Sequence, residues 1–184
     1  MRILVAVVLV VLAAPALNAK PGPAPAPDPA LAALASLKGQ AFDVAFMRAL
    51  IPVDEEAVEI ALVTTLNADH SDLLQWNQKM IDRKSGQVKK MLAWLQEAGA
   101  GPAGRNAGVM TLPVKQMRGL QGAALERAFL PLMASHLDRS TALAALAATK
   151  ANRAELRAFA QGIVGVEKQE ATMLRDWNRK WYGK

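Results

Sequence analysis

The chain repeats itself. Displaced by 83 residues, and without a gap, residues 39–94 align with residues 122–177. The identities include Gly39 with Gly122, Ala41 with Ala124, Ala45 with Ala128, Phe46 with Phe129, Ala61 with Ala144, Gln78 with Gln161 and Trp94 with Trp177. Apolar character is kept at many more pairs, among them Phe42 with Leu125, Ile60 with Leu143, Trp76 with Phe159, Met80 with Ile163 and Met91 with Leu174. Asp43 and Glu126 match as acids. A duplicated unit must bury the same face twice, so the repeat bounds the fold before any other feature is considered.

Each copy reads as a helical hairpin. In the first, Phe42, Phe46, Leu50, Val53, Ala57 and Ile60 recur at steps of three and four residues, the mark of one helix face. Asn67 to Asp72 interrupts the pattern. Asp69 is the expected N-cap of a second helix, with Asp72 three places on, and Asn152 and Glu155 stand in the same register of the second copy. The second helix turns Leu73, Trp76, Met80, Val88, Met91 and Leu95 inward and stops near Gly99. Residues 100–115 form a glycine-rich connection containing Pro102. A third helix is predicted from about 116 to 150 and a fourth from about 153 to 181. Pro52 and Pro131 fall inside the first helix of each copy and should kink it, since each removes a backbone donor. One hairpin alone leaves an apolar stripe uncovered. The hairpins at 39–99 and 116–184 should therefore close into an all-α, four-helix bundle.

Residues 1–19 read as a signal peptide: Arg2, an apolar run from Ile3 to Ala14, then small residues. The run is short of the ~20 residues that span a bilayer. A Pro/Ala-rich linker follows at 20–38, with residues 20–30 expected to be extended. The mature protein is accordingly expected to be secreted or periplasmic. It contains no cysteine, so disulfides are excluded and stability must come from the core. Charge divides between the copies. Residues 39–98 hold six Lys/Arg and nine Asp/Glu, while residues 115–184 hold twelve and six. The halves should attract, leaving positive surface on the second.

The residues that break the apolar stripes point to a site. On the third helix the inward series is Phe129, Met133, His136, Ser140, Leu143; on the fourth it is Leu156, Phe159, Ile163, Glu167, Glu170, Leu174, Trp177. His136, Glu167 and Glu170 thus stand where the core should be apolar. On the second helix Lys84 and Gln87 hold the positions that match Glu167 and Glu170. A buried carboxylate has to be paired, protonated or metal-bound. Two readings follow. In one, His136, Glu167 and Glu170, with Asp54 from the first helix as a further ligand, hold a metal ion between helices three and four. In the other, Lys84 pairs with Glu167 or Glu170 and no ligand is needed. Asp54 is the member of the acidic run Asp54, Glu55, Glu56, Glu59 that adjoins the inward stripe, and the rest read as a solvated face.

Met47, Met80, Met91 and Met133 fit core positions, while Met110 and Met117, in or near the connection, are soft-ligand candidates. His70, at the first turn of the second helix, should be exposed. At the C-terminus Trp177, Trp181 and Tyr182 mix with Arg179, Lys180 and Lys184, a composition suited to a helix end and also to contact with an anionic membrane surface. Nucleic acid is not an expected partner of an exported chain. No Ser-His-Asp set, phosphate-binding glycine loop or His/Cys metal spacing is present, so a non-enzymatic role is expected.

The stretch Phe42-Asp43-x-x-Phe46, continued by Leu50-Ile51-Pro52, Ala57 and Ala61, resembles the exported family called domain of unknown function 305. Its members carry F-D-x-x-F, then M-I-P-H-H, then spaced Ala and Met, and a later helix ending E-I-x-x-M-x-x-W-L. Gln87-Val88-x-x-Met91-x-x-Trp94-Leu95 resembles that ending. Glu126, Phe129, Met133, His136, Ala144, Glu170 and Trp177 mark a second, more divergent copy. The resemblance implies a ferritin-like bundle and, for some members, copper held by the His-His pair and Met residues. Here that pair becomes Val53-Asp54 in one copy and His136-Leu137 in the other, the Met becomes Ile60 and Leu143, and the helix-two Glu becomes Gln87 but is kept as Glu170. The resemblance therefore implies a degenerate site, for copper or another divalent metal, surviving only in the second copy.

Overall fold

A computed structural model describes residues 29–101 and 110–183. The segment expected to be a signal peptide, residues 20–28 of the expected linker, residues 102–109 of the connection and Lys184 lie outside the described residues. Among the described residues six helices follow in order: α1 (Pro29–Ser36), α2 (Gly39–Thr65), α3 (Ser71–Glu97), α4 (Leu112–Met117), α5 (Gly122–Lys150) and α6 (Ala154–Tyr182). Among the described residues there is no strand. The four long helices form the four-helix bundle of two repeated hairpins that the periodicity predicts, α2–α3 and α5–α6, with α2 packed along α5.

Two boundaries differ from expectation. The end of the Pro/Ala-rich linker is helical: Pro29 starts α1, where a missing amide costs nothing, and the Ala/Leu run behind it favours helix. Leu34 is buried, and Lys150 Nζ of α5 donates to the Ala35 carbonyl. The third predicted helix is in fact two, α4 and α5. Gly119, at φ 89°, and Gly122, at φ 51°, separate them in the left-handed region that side chains avoid. Gly39 opens α2 at φ 60°, so the Gly39/Gly122 identity records one backbone requirement met twice. At Gly122 a Cβ would also fall 2.6 Å from Asp69 Oδ2. Pro52 and Pro131 lie within α2 and α5 without ending either helix.

The core is split into two apolar clusters. At one end Phe42, Phe46, Leu50, Met91, Trp94, Leu143, Ala147, Leu156 and Ile163 pack together. At the other Ile60, Leu73, Trp76, Met80, Leu125, Phe129, Met133 and Leu174 do so. Along α2 the first cluster ends at Val53 and the second begins at Ala57; along α5 the second ends at Leu137 and the first begins at Leu143. The two helices run in opposite directions through the same layers. Asp54, Lys84, Ser140 and Glu167 occupy the gap, one from each long helix, and all four are buried.

The caps tie the repeats together. Asp69 does not cap α3, whose N-cap residue, His70, makes no side-chain cap. The carboxylate of Glu126, from the first turns of α5, accepts the amides of Asp69 (2.7 Å) and His70 (2.8 Å) instead. Asp43, its mate in α2, accepts the amides of Asn152 (2.7 Å) and Arg153 (2.9 Å) at the start of α6. Each copy thus uses the same acid to close the other copy's second helix, satisfying orphan donors and placing negative charge at the positive helix end.

Candidate functional site

The gap between the two apolar clusters carries the most unusual chemistry in the molecule. Lys84 reaches it from the middle of α3, where the surrounding turns are held by Met80 and Met91 in the core. Its ammonium donates to Asp54 Oδ1 of α2 at 2.7 Å, to Glu167 Oε1 of α6 at 2.5 Å and to Ser140 Oγ of α5 at 3.1 Å. The side chains of Lys84, Asp54 and Glu167 are 1%, 0% and 0% exposed. All three ammonium protons find oxygen, one on each of the other long helices. Two oxygens are left over: Asp54 Oδ2 and Glu167 Oε2 are buried with no hydrogen-bond partner in the structure. The cluster carries two acids to one base.

Electrostatics follows that imbalance. Burial would drive Lys84 toward the neutral amine, but Asp54 and Glu167 outweigh it and hold the ammonium above its ordinary range. Asp54 is pushed up to about 6: burial disfavours its charge, Lys84 lowers it only in part, and Glu167 raises it further. The sign of the linkage is that of a raised acid. Asp54's contribution to stability is fully present below its unfolded range near 3.8 and is lost as pH rises through about 6.

The residues expected to gather around one metal do not gather. Asp54 and Glu167 do meet, but around Lys84. Glu170 takes Arg83 Nη2 at 2.5 Å; burial raises its acid and Arg83 opposes this. His136 is buried and turns to α2, its Nε2 lying 3.1 Å from Glu56 Oε2. The hydrogen bond from His136 holds Glu56 below the usual carboxylate range. Among the described residues no three His, Cys, Asp or Glu side chains form a group able to hold a metal. The ammonium stands at the point where the acids converge, and a divalent ion does not share that point with a fixed positive charge.

Sequence reasoning missed a second polar constellation. His70 is not simply exposed. Its Nδ1 lies 2.5 Å from Glu126 Oε2, and its ring stacks on Trp181 with centroids 3.9 Å apart. Trp181 stacks in turn on Trp177, and Tyr182 donates its hydroxyl to Glu126. Burial would raise Glu126, but the His70 amide, the Tyr182 hydroxyl and the His70 ring hold it below its ordinary range. Trp177, Trp181 and Tyr182 pack against the apolar cluster at this end of the bundle, while Arg179 and Lys180 stay exposed. The Asp43/Glu126 match was the available signal, and it lacked only the recognition that each acid serves the other repeat.

Two adjacent segments of the chain, 16–95 and 96–178, match the family described as domain of unknown function (DUF305). The chain belongs to that family. The paired matches agree with the duplication, as two DUF305 copies in tandem. Among solved structures, CopM in its Cu(I)-bound form is similar at 22% identity and TM-score 0.68, over 77% of this chain and 98% of that one. CopM in a silver-bound form obtained by soaking gives 20% and 0.67, over 77% and 97%. A protein described as a secreted DUF305 protein from Streptomyces coelicolor gives 19% and 0.66, over 73% and 89%. At these identities the likeness is one of fold. A search of curated proteins finds no match.

Proposed function

We propose that this chain is a non-enzymatic DUF305 bundle of the cell envelope whose interior is closed by an ion pair, and which serves as a structural or partner-binding protein without a metal at the helix seam. The observation that carries this reading is the Lys84 ammonium within hydrogen-bond reach of Asp54, Ser140 and Glu167. A cation covalently tied to α3 already occupies the point between the acids that a divalent ion would need. His136 and Glu170, kept from the family's His-His pair and helix-two Glu, are each engaged elsewhere.

One feature supports a second reading in which a soft metal ion binds away from the seam. Met80, Met117 and Met133 are buried in one apolar cluster, and Met110 and Met173 pack against it. Thioethers favour monovalent copper and silver over harder ions, and CopM has been solved with both metals. Calorimetric titration of metal-free protein separates the readings. With no seam metal, Zn2+ and Cu2+ give no binding heat, in wild type and in His136→Ala alike. Heat that disappears in His136→Ala sinks this account of the seam. Silver binding that survives His136→Ala and is lost in Met117→Leu/Met173→Leu assigns the metal to the thioether cluster.

A further inference from the structure

We propose that Lys84 is a tethered cation filling a carboxylate cation site, and that removing its amine turns the layer into a divalent-metal site made by Asp54, Glu167 and Ser140. This goes beyond the seam reading, on which it rests, by giving the site a ligand class. Three observations carry it. Each long helix contributes one residue to the layer, the arrangement by which helix bundles build internal ion sites. Asp54 Oδ2 and Glu167 Oε2 remain buried and without partners even with Lys84 in place, so the layer has more acceptor capacity than one ammonium uses. Finally, positions 84 and 167 are mates in the repeat and touch each other.

The last point bears on origin as well as chemistry. A duplicated chain before its copies diverged placed one residue type at both of these positions. Two acids facing each other in a dry core need a shared cation, and two lysines need a shared anion. Lys84 against Glu167 is the unequal solution, with the counter-ion built into one copy. Oxygen donors alone suit hard or borderline divalent ions such as Mn2+ and Co2+ better than monovalent copper.

The test uses full-length protein. Lys84→Ala is titrated with Mn2+ and Co2+ beside wild type. The expected result is one Co2+ per chain in Lys84→Ala, with a visible ligand-field absorption and a raised melting temperature, and no response in wild type. Both signals should be lost in Lys84→Ala/Glu167→Gln. Where Lys84→Ala does not fold alone, refolding with Mn2+ or with ethylammonium, which replaces the missing amine, should restore helical circular dichroism. A folded Lys84→Ala that ignores both ions, or an unfolded one rescued by neither Mn2+ nor ethylammonium, overturns the proposal. Those outcomes leave the seam reading intact, whereas divalent binding by wild type lost in His136→Ala defeats that reading.

Discussion

Replacing Lys84 with methionine is expected to lower the unfolding free energy by about 3–5 kcal/mol, because it strands buried acids without their counter-ion. Methionine fits the volume, so the loss reports charge rather than a cavity. Asp54 and Glu167 have no water-facing alternative, each being 0% exposed. They must then protonate or open the bundle. Urea unfolding followed by circular dichroism measures the loss directly. An unchanged midpoint would show that Lys84 contributes nothing to the core. A further variant sharpens the point. Asp54→Leu/Lys84→Met/Glu167→Leu removes all three charges together and should recover most of the stability, since an ion cluster replaced by apolar groups is often neutral or stabilising.

The other large effect is expected at the cross-repeat caps. Glu126→Ala should cost about 3 kcal/mol and Asp43→Ala about 2 kcal/mol, given about 1.5–3 kcal/mol for hydrogen bonds to a charged group and imperfect additivity. Glu126 should be the costlier because it holds the His70 ring and the Tyr182 hydroxyl in addition to two backbone amides. Asp43 accepts the two amides at the start of α6. Thermal unfolding of the single variants tests the order. Losses under about 0.5 kcal/mol in both, the range of ordinary surface changes, would contradict the capping role.

The hairpins and their duplication were legible because helical periodicity is local and an ungapped offset preserves it. The charged seam was legible in part. Lys84 and Glu167 break apolar stripes at matching positions, so an ion pair across the repeats stood among the two readings. What the stripe could not supply was the choice among neighbouring acids. Asp54 and Glu56 stand two residues apart, yet one is sealed against Lys84 and the other meets His136. Side-chain direction at the contact decides this, and it depends on the crossing of α2 with α5. The caps escaped for a related reason. A local rule chose Asp69, whereas the carboxylate that accepts its amide comes from Glu126, 57 residues away. The helix at Pro29–Ser36 was hidden by the proline-rich composition ahead of it, although Leu34 had a core to dock on.

The central claim is that a charged lysine is locked among acids inside the bundle. Nitrogen-15 NMR of the lysine ammonium groups, taken with the carboxyl carbon of Asp54 across a pH titration, tests it most directly. The account predicts a Lys84 ammonium signal that is protected from solvent exchange and disappears in Lys84→Met, together with an Asp54 carboxyl that titrates near 6. A Lys84 signal that exchanges as fast as surface lysines, with Asp54 titrating near 3.8, would contradict it.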